Sequence, residues 1–141
     1  MEKVYLSLGS NLGDRRANIL SAVGELDRSL GRPHSAISSL IETSSWGFEG
    51  ADFINCAVLY ETELPPEELL SVCKRIEREM GRRENPEFDA AGRRIYHDRV
   101  IDIDILLYGT RRVDTPELKI PHPLMKQRDF VMRPLMEIYN S

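Results

Sequence analysis

The chain has 141 residues, 41% hydrophobic and 30% charged, with a formal net charge of −4 and two cysteines. That length suits one domain with a single core, expected over residues 1–141, and the acidic balance argues against a protein whose main work is coating nucleic acid or an anionic membrane. The opening residues MEKVYLSLGS are too short and polar for a secretory leader, no apolar run reaches membrane-spanning length, and Cys56 and Cys73 sit among apolar neighbours without metal-clip spacing, so a cytoplasmic protein with two buried thiols is expected.

Lys3 to Gly9 alternates, with Val4, Leu6 and Leu8 facing one way and Tyr5 and Ser7 the other, which predicts a strand. The turn-rich Gly9-Ser10-Asn11-Leu12-Gly13-Asp14 then opens a helix with Ile19, Leu20, Val23, Leu26 and Leu30 at helical spacing, Asp14 as N-cap and Gly31 and Pro33 as stop signals. Ser35 to Ser44 reads as a second strand, Ser45 to Asp52 as a loop bearing Trp46 and Phe48, and Phe53 to Thr62 as a third strand. Pro65-Pro66-Glu67-Glu68 starts a second helix, whose stripe is Leu69, Val72, Cys73, Ile76 and Met80 and whose end is Gly81. Arg82 to Asp98 is crowded with charge and lacks core periodicity, which predicts a long mobile loop of functional importance. A fourth strand follows, then a hairpin arm over Arg111 to Ile120, and a last helix around Asp129 to Tyr139 in which Pro134 is placed to interrupt. The order predicts an α+β fold of ferredoxin-like βαββαβ type: an antiparallel sheet with helices packed on one face, plus a C-terminal extension.

The fourth strand carries the chemistry. In DRVIDIDILLYG, Asp102 and Asp104 share one face with Cα atoms roughly 6.5–7 Å apart, while Ile101, Ile103 and Ile105 point the other way. Two carboxylates that close repel unless a cation sits with them, and oxygen donors that leave most of the sphere to water and phosphate suit Mg²⁺ beside a nucleotide. A solvated face of an amphipathic strand is the alternative. Phosphate would need cations, which Arg82, Arg83, Arg93, Arg94, Arg99, Arg128, His122 and, on the preceding helix, Lys74 and Arg75 can supply; arginines on a loop are equally compatible with plain solvation. No Walker A loop is present. Trp46, Phe48, Phe53 and Phe130 can stack on a flat heterocycle, and Asn55, on the parity of Phe53, can read its edge or serve as a satisfied structural amide.

LGSNLGD near the start, DFINCAV in the middle, VIDIDILLYG and IPHPLMKQRDFVMRPL, in that order over nearly the whole chain, together resemble the 6-hydroxymethyl-7,8-dihydropterin pyrophosphokinases of folate biosynthesis. The resemblance implies transfer of the terminal diphosphate of ATP to the hydroxymethyl group of the reduced pterin, releasing AMP, by an ATP-dependent diphosphotransferase with two Mg²⁺ ions on Asp102 and Asp104. It implies Arg82 and Arg99 on the transferring group. On the pterin side it implies Thr43, Ser44, Trp46, Phe53, Asn55 and Phe130, and on the ATP side Lys74, Glu77, Tyr96, Ile105, His122 and Arg128. Glu84 stands where a second loop arginine is expected, and His97-Asp98 replaces the usual Gly-Pro before Arg99. A monomer acting on small molecules, without nucleic acid or membrane, is expected. The rival classes are a ferredoxin-like nucleic-acid-binding module, opposed by the acidic pair and net charge, and a regulatory domain that binds ATP without turnover.

Overall fold

A computed structural model describes residues 1–43, 52–81, 87–88, 94–95 and 100–139. Strand β1 (Glu2–Ser10) lies in the middle of an antiparallel sheet, with β4 (Phe53–Thr62) on one side and β7 (Asp102–Tyr108) on the other. Beyond β4 lie two short strands, β2 (Ala36–Ile37) and β3 (Ile41–Thr43), both paired to it. The single strand expected over 35–44 is thus split. At the break the Ser38 hydroxyl takes a bond from the Ala57 N–H at 2.8 Å while donating to the Ser39 carbonyl at 2.9 Å, so a side chain replaces a rung of the ladder.

Alternation along these strands sorts the side chains into two layers. On one face Val4, Leu6 and Leu8 of β1, Ile54, Cys56 and Val58 of β4, and Ile103 and Ile105 of β7 pack under helices α1 (Arg15–Leu30) and α2 (Pro66–Glu79). The helix ends match their sequence signals: the Asp14 side chain accepts from the Ala17 N–H, and Gly31 closes α1 with φ 73°, a left-handed conformation that costs glycine little. Both cysteines are buried free thiols pushed up to about 12 by desolvation.

The opposite face presents Tyr5, Ala57, Leu59 and Leu106, too apolar a row to leave wet. It is covered by α3 (Asp129–Ile138) through Val131, Leu135 and Ile138, and by Met125 from the 3₁₀ turn Met125–Gln127. Helices on one face therefore describe α1 and α2 alone; the C-terminal extension folds across the other side. Helix α3 runs through Pro134 without a break. Glu137 ties it to the β2–β3 break, accepting from the Ser39 N–H at 2.8 Å and hydroxyl at 2.6 Å.

A bulge in β7 lets Leu106 and Leu107 pass Tyr5 before the register resumes, which returns Tyr108 to the helical face opposite Val4. Within the segment expected to be a loop, β5 (Glu87–Phe88) and β6 (Arg94–Ile95) pair antiparallel; the rest of it, and hence its expected mobility, lies outside the described residues. The hairpin β8 (Val113–Asp114) and β9 (Lys119–Ile120) forms as predicted. No described helix is long and apolar enough to cross a membrane.

Leu135 is 2% exposed at the centre of the second layer, whereas Met136 is 62% exposed. Equilibrium urea unfolding is expected to show Leu135→Ala losing about 2–4 kcal/mol, and Met136→Ala staying within about 0.5 kcal/mol of the parent.

Candidate active site

Gly9 lies opposite Asn55 in the β1–β4 register and opposite Asp102 in the β1–β7 register. Three strands thus bring the cavity-facing positions of β1, β4 and β7 into one row. The cavity above that row measures about 150 Å³ and is lined by Ser7, Gly9, Thr43, Phe53, Asn55, Asp102, Asp104, Arg128, Phe130 and Val131. Pockets for drug-sized ligands usually exceed about 300 Å³, so this space suits one small flat ring and leaves a nucleotide to lie beyond it.

The pocket has an aromatic part, an amide and an acidic end. Phe53 and Phe130 are both half-buried, one from β4 and one from the first turn of α3. Asn55 is 5% exposed, and its Nδ2 is a buried donor without a hydrogen-bond partner among the described residues. A donor in that state costs free energy until an acceptor arrives, and native structures rarely keep one without reason. The Arg128 guanidinium stands 5.8 Å from the Phe130 ring centroid, which holds a cation at the mouth of the site.

At the acidic end, Asp104 is raised well above the ordinary carboxylate range: first by desolvation, then by the charges of Asp102 and Glu77, with Arg128 and Lys74 opposing. After desolvation, part of that rise at Asp104 is the like-charge repulsion expected of two carboxylates on one strand face. Among the described residues no group of three or more His, Cys, Asp or Glu side chains is arranged to hold a metal, so this donor set offers two carboxylates and nothing more. That fits a hard cation sharing its sphere with phosphate and water, and does not fit an all-protein cage.

His122 follows the cis Ile120–Pro121 bond, and its own N–H donates to the Leu106 carbonyl at 3.0 Å. Its pKa is lowered by desolvation and by Arg128, against the pull of Asp102. Nδ1 accepts from the Leu124 N–H at 3.2 Å, which leaves the ring's remaining proton on Nε2, available to an anion.

The residues anticipated from sequence divide three ways. Thr43, Phe53, Asn55, Asp102, Asp104, Arg128 and Phe130 share the cavity, with His122 in electrostatic reach of its acidic end. Glu77 and Lys74 lie outside the cavity lining but within electrostatic reach of Asp104, and Ile105 faces the helical layer. The Glu77 side chain is 1% exposed on α2 and accepts the Ile103 N–H at 2.8 Å, satisfying a donor on the open edge of β7, with the Lys74 ammonium 3.6 Å from its other oxygen. The Ile105 side chain is committed to the core under the helices, so only its main chain remains to meet a ligand. Ser44, Trp46, Arg82, Tyr96 and Arg99 lie outside the described residues. Sequence reasoning missed Ser7, Gly9 and Val131. The first two were within reach, since the alternation that sends Val4, Leu6 and Leu8 to the core sends positions 7 and 9 to the other face.

A family model described as 7,8-dihydro-6-hydroxymethylpterin-pyrophosphokinase (HPPK) matches residues 5–140. The chain is 45% identical over 140 residues to a 2-amino-4-hydroxy-6-hydroxymethyldihydropteridine pyrophosphokinase of Porphyromonas gingivalis, covering 98% of this chain and 91% of the relative. It is 43% identical over 139 residues to the protein of that name from Aquifex aeolicus, covering 98% and 81%, and 38% identical over 135 residues to that of Bacillus subtilis, covering 95% and 76%.

An acid whose folded pKa is raised binds its proton more tightly in the native state, so its stability contribution falls as pH rises from the unfolded value through the folded one. Ligand-free protein carrying Asp104→Asn is accordingly expected to melt about 2–6 °C higher than the parent at pH 8, the gain vanishing near pH 4 where the parent carboxyl is also neutral. Scanning calorimetry across that range checks it.

Proposed function

The chain belongs to the 7,8-dihydro-6-hydroxymethylpterin-pyrophosphokinase family, and from that premise we infer that it is a folate-pathway pyrophosphokinase. It transfers the terminal diphosphate of ATP to the hydroxymethyl group of 6-hydroxymethyl-7,8-dihydropterin and releases AMP, with residues 1–141 acting as one domain on small-molecule substrates. The observation that carries this reading is the single row in which the unpartnered Asn55 donor and the Asp102–Asp104 pair share one ring-sized cavity. A flat polar ring and a phosphate-bearing cation are the two things such a row can hold side by side.

In this proposal the pterin lies between Phe53 and Phe130, with Thr43, Ser44 and Trp46 completing its pocket and Asn55 bonding its edge. The hydroxymethyl arm then extends toward the acidic end. Asp102 and Asp104 would hold two Mg²⁺ ions, which when bound neutralise triphosphate charge and orient its oxygens. Arg128 and His122 face the phosphates from the α3 side of the cavity; Arg82 and Arg99 meet the transferring group, and Lys74, Glu77, Tyr96 and Ile105 belong with the nucleotide. The primary alcohol's oxygen forms a bond to the β-phosphorus as the bond from that phosphorus to the oxygen bridging to the α-phosphate breaks; AMP leaves with the bridging oxygen and the hydroxyl proton passes to solvent. Such a step asks the protein chiefly for in-line placement and charge neutralisation, and the cavity's aromatic walls exclude water from the ring end.

AMP production, followed by chromatography, is expected only when both ATP and the pterin are present; AMP formed from ATP alone would contradict the reading. Asp102→Asn and Asp104→Asn are each expected to slow it by at least about a hundredfold while keeping a cooperative melt. Near-parental, Mg²⁺-dependent rates in either variant would overturn the metal assignment.

A further inference from the structure

We propose that Gly9 is a positioning residue for the ring-reading amide: the absence of a side chain there sets how Asn55 is held, and so which ring edge the cavity accepts. The inference rests on the pterin-binding reading above and goes on to say what orients its polar contact.

Glycine is not required at position 9 by the backbone, since among the described residues the positive-φ glycines are Gly13, Gly31, Gly81 and Gly109. It lies instead within a central strand, where glycine weakens the ladder and commonly marks a close approach. The close approach is to Asn55. A Cβ built on Gly9 would stand 2.5 Å from Asn55 Oδ1, nearer than real Cβ atoms come, and 3.6 Å from Phe53 Cδ1. The amide oxygen therefore rests against the Gly9 backbone, where a Cα–H can meet it, and cannot do so past any other residue.

That placement decides the rest. With Oδ1 turned to Gly9, Nδ2 is the amide atom left without a partner among the described residues, and so the donor an arriving ring would meet. The ring edge opposite must then carry an acceptor, a lactam carbonyl or an unprotonated ring nitrogen; an edge presenting an amino group there would set donor against donor. Asn55 is 5% exposed, and the open space beside it is the cavity it lines. A methyl on Gly9 would drive the amide into the space the ring needs.

The test is a cycle of Gly9→Ala, Asn55→Ala and the double variant, titrated calorimetrically with 6-hydroxymethyl-7,8-dihydropterin and, separately, with a non-hydrolysable ATP analogue and Mg²⁺. Gly9→Ala should raise the pterin Kd about tenfold or more and leave that of the nucleotide within about twofold, a split that a general loss of structure would not produce. In the Asn55→Ala background the same change should alter the pterin Kd by no more than about twofold. An unchanged pterin Kd in Gly9→Ala, or a penalty of equal size with and without the amide, overturns the proposal. If Gly9→Ala does not fold but the double variant does, the contact is upheld; if neither folds, glycine serves the sheet alone and the proposal is lost. Should the native chain bind the nucleotide but no pterin, the proposed reaction fails by itself. Melting midpoints of the four proteins then decide for the Gly9 contact if they are non-additive, and against it if they add.

Discussion

Repulsion between Asp102 and Asp104 is the constraint around which the rest of this protein is arranged. Nothing about two carboxylates favours sharing a face at the edge of a buried sheet; they are held there because Ile103 and Ile105 are locked into the opposite layer under α1 and α2. Turning β7 over to relieve the acids would expose those isoleucines and bury the charges, a far larger cost. The core therefore stores an electrostatic demand that a cation can meet. Glu77 reinforces it from α2, adding a third negative charge in reach of Asp104 while closing the open edge of β7 through the Ile103 N–H.

The second layer joins stability to binding more directly. Tyr5, Ala57, Leu59 and Leu106 need cover, and α3 provides it with Val131, Leu135 and Ile138. The residues at the start of the same helix, Arg128 and Phe130, form one wall of the cavity, so the element that dries the sheet also delivers the cation and the ring to the site. Ser39 and Glu137 fasten its far end, 98 residues apart in sequence.

Much of the framework was legible residue by residue. The strand at 53–62, the cap at Asp14, the stop at Gly31 and the carboxylate parity on β7 all followed from local rules about alternation, capping and left-handed backbone. The failures have a common cause in long-range contacts. Ser38 splits the second strand by bonding Ala57, a partner 19 residues away, and helical periodicity in 129–139 did not say which face of the sheet it would roof.

Within the site the same division holds. Composition, spacing and parity were enough to nominate Asp102, Asp104, Phe53 and Asn55, because each is defined by its place within one strand. Sequence alone also determined the family, through four motifs kept in order. What only the tertiary structure decided is how the strands sit side by side. The register sets Gly9 between Asn55 and Asp102, the crossing of α3 carries Phe130 and Arg128 to the same cavity, and the close approach brings the Asn55 Oδ1 against Gly9. Side-chain alternation is a property of a single chain segment and can be read along it. Register and approach distance belong to pairs of segments far apart in sequence, and they are set only when apolar burial has chosen one packing among many.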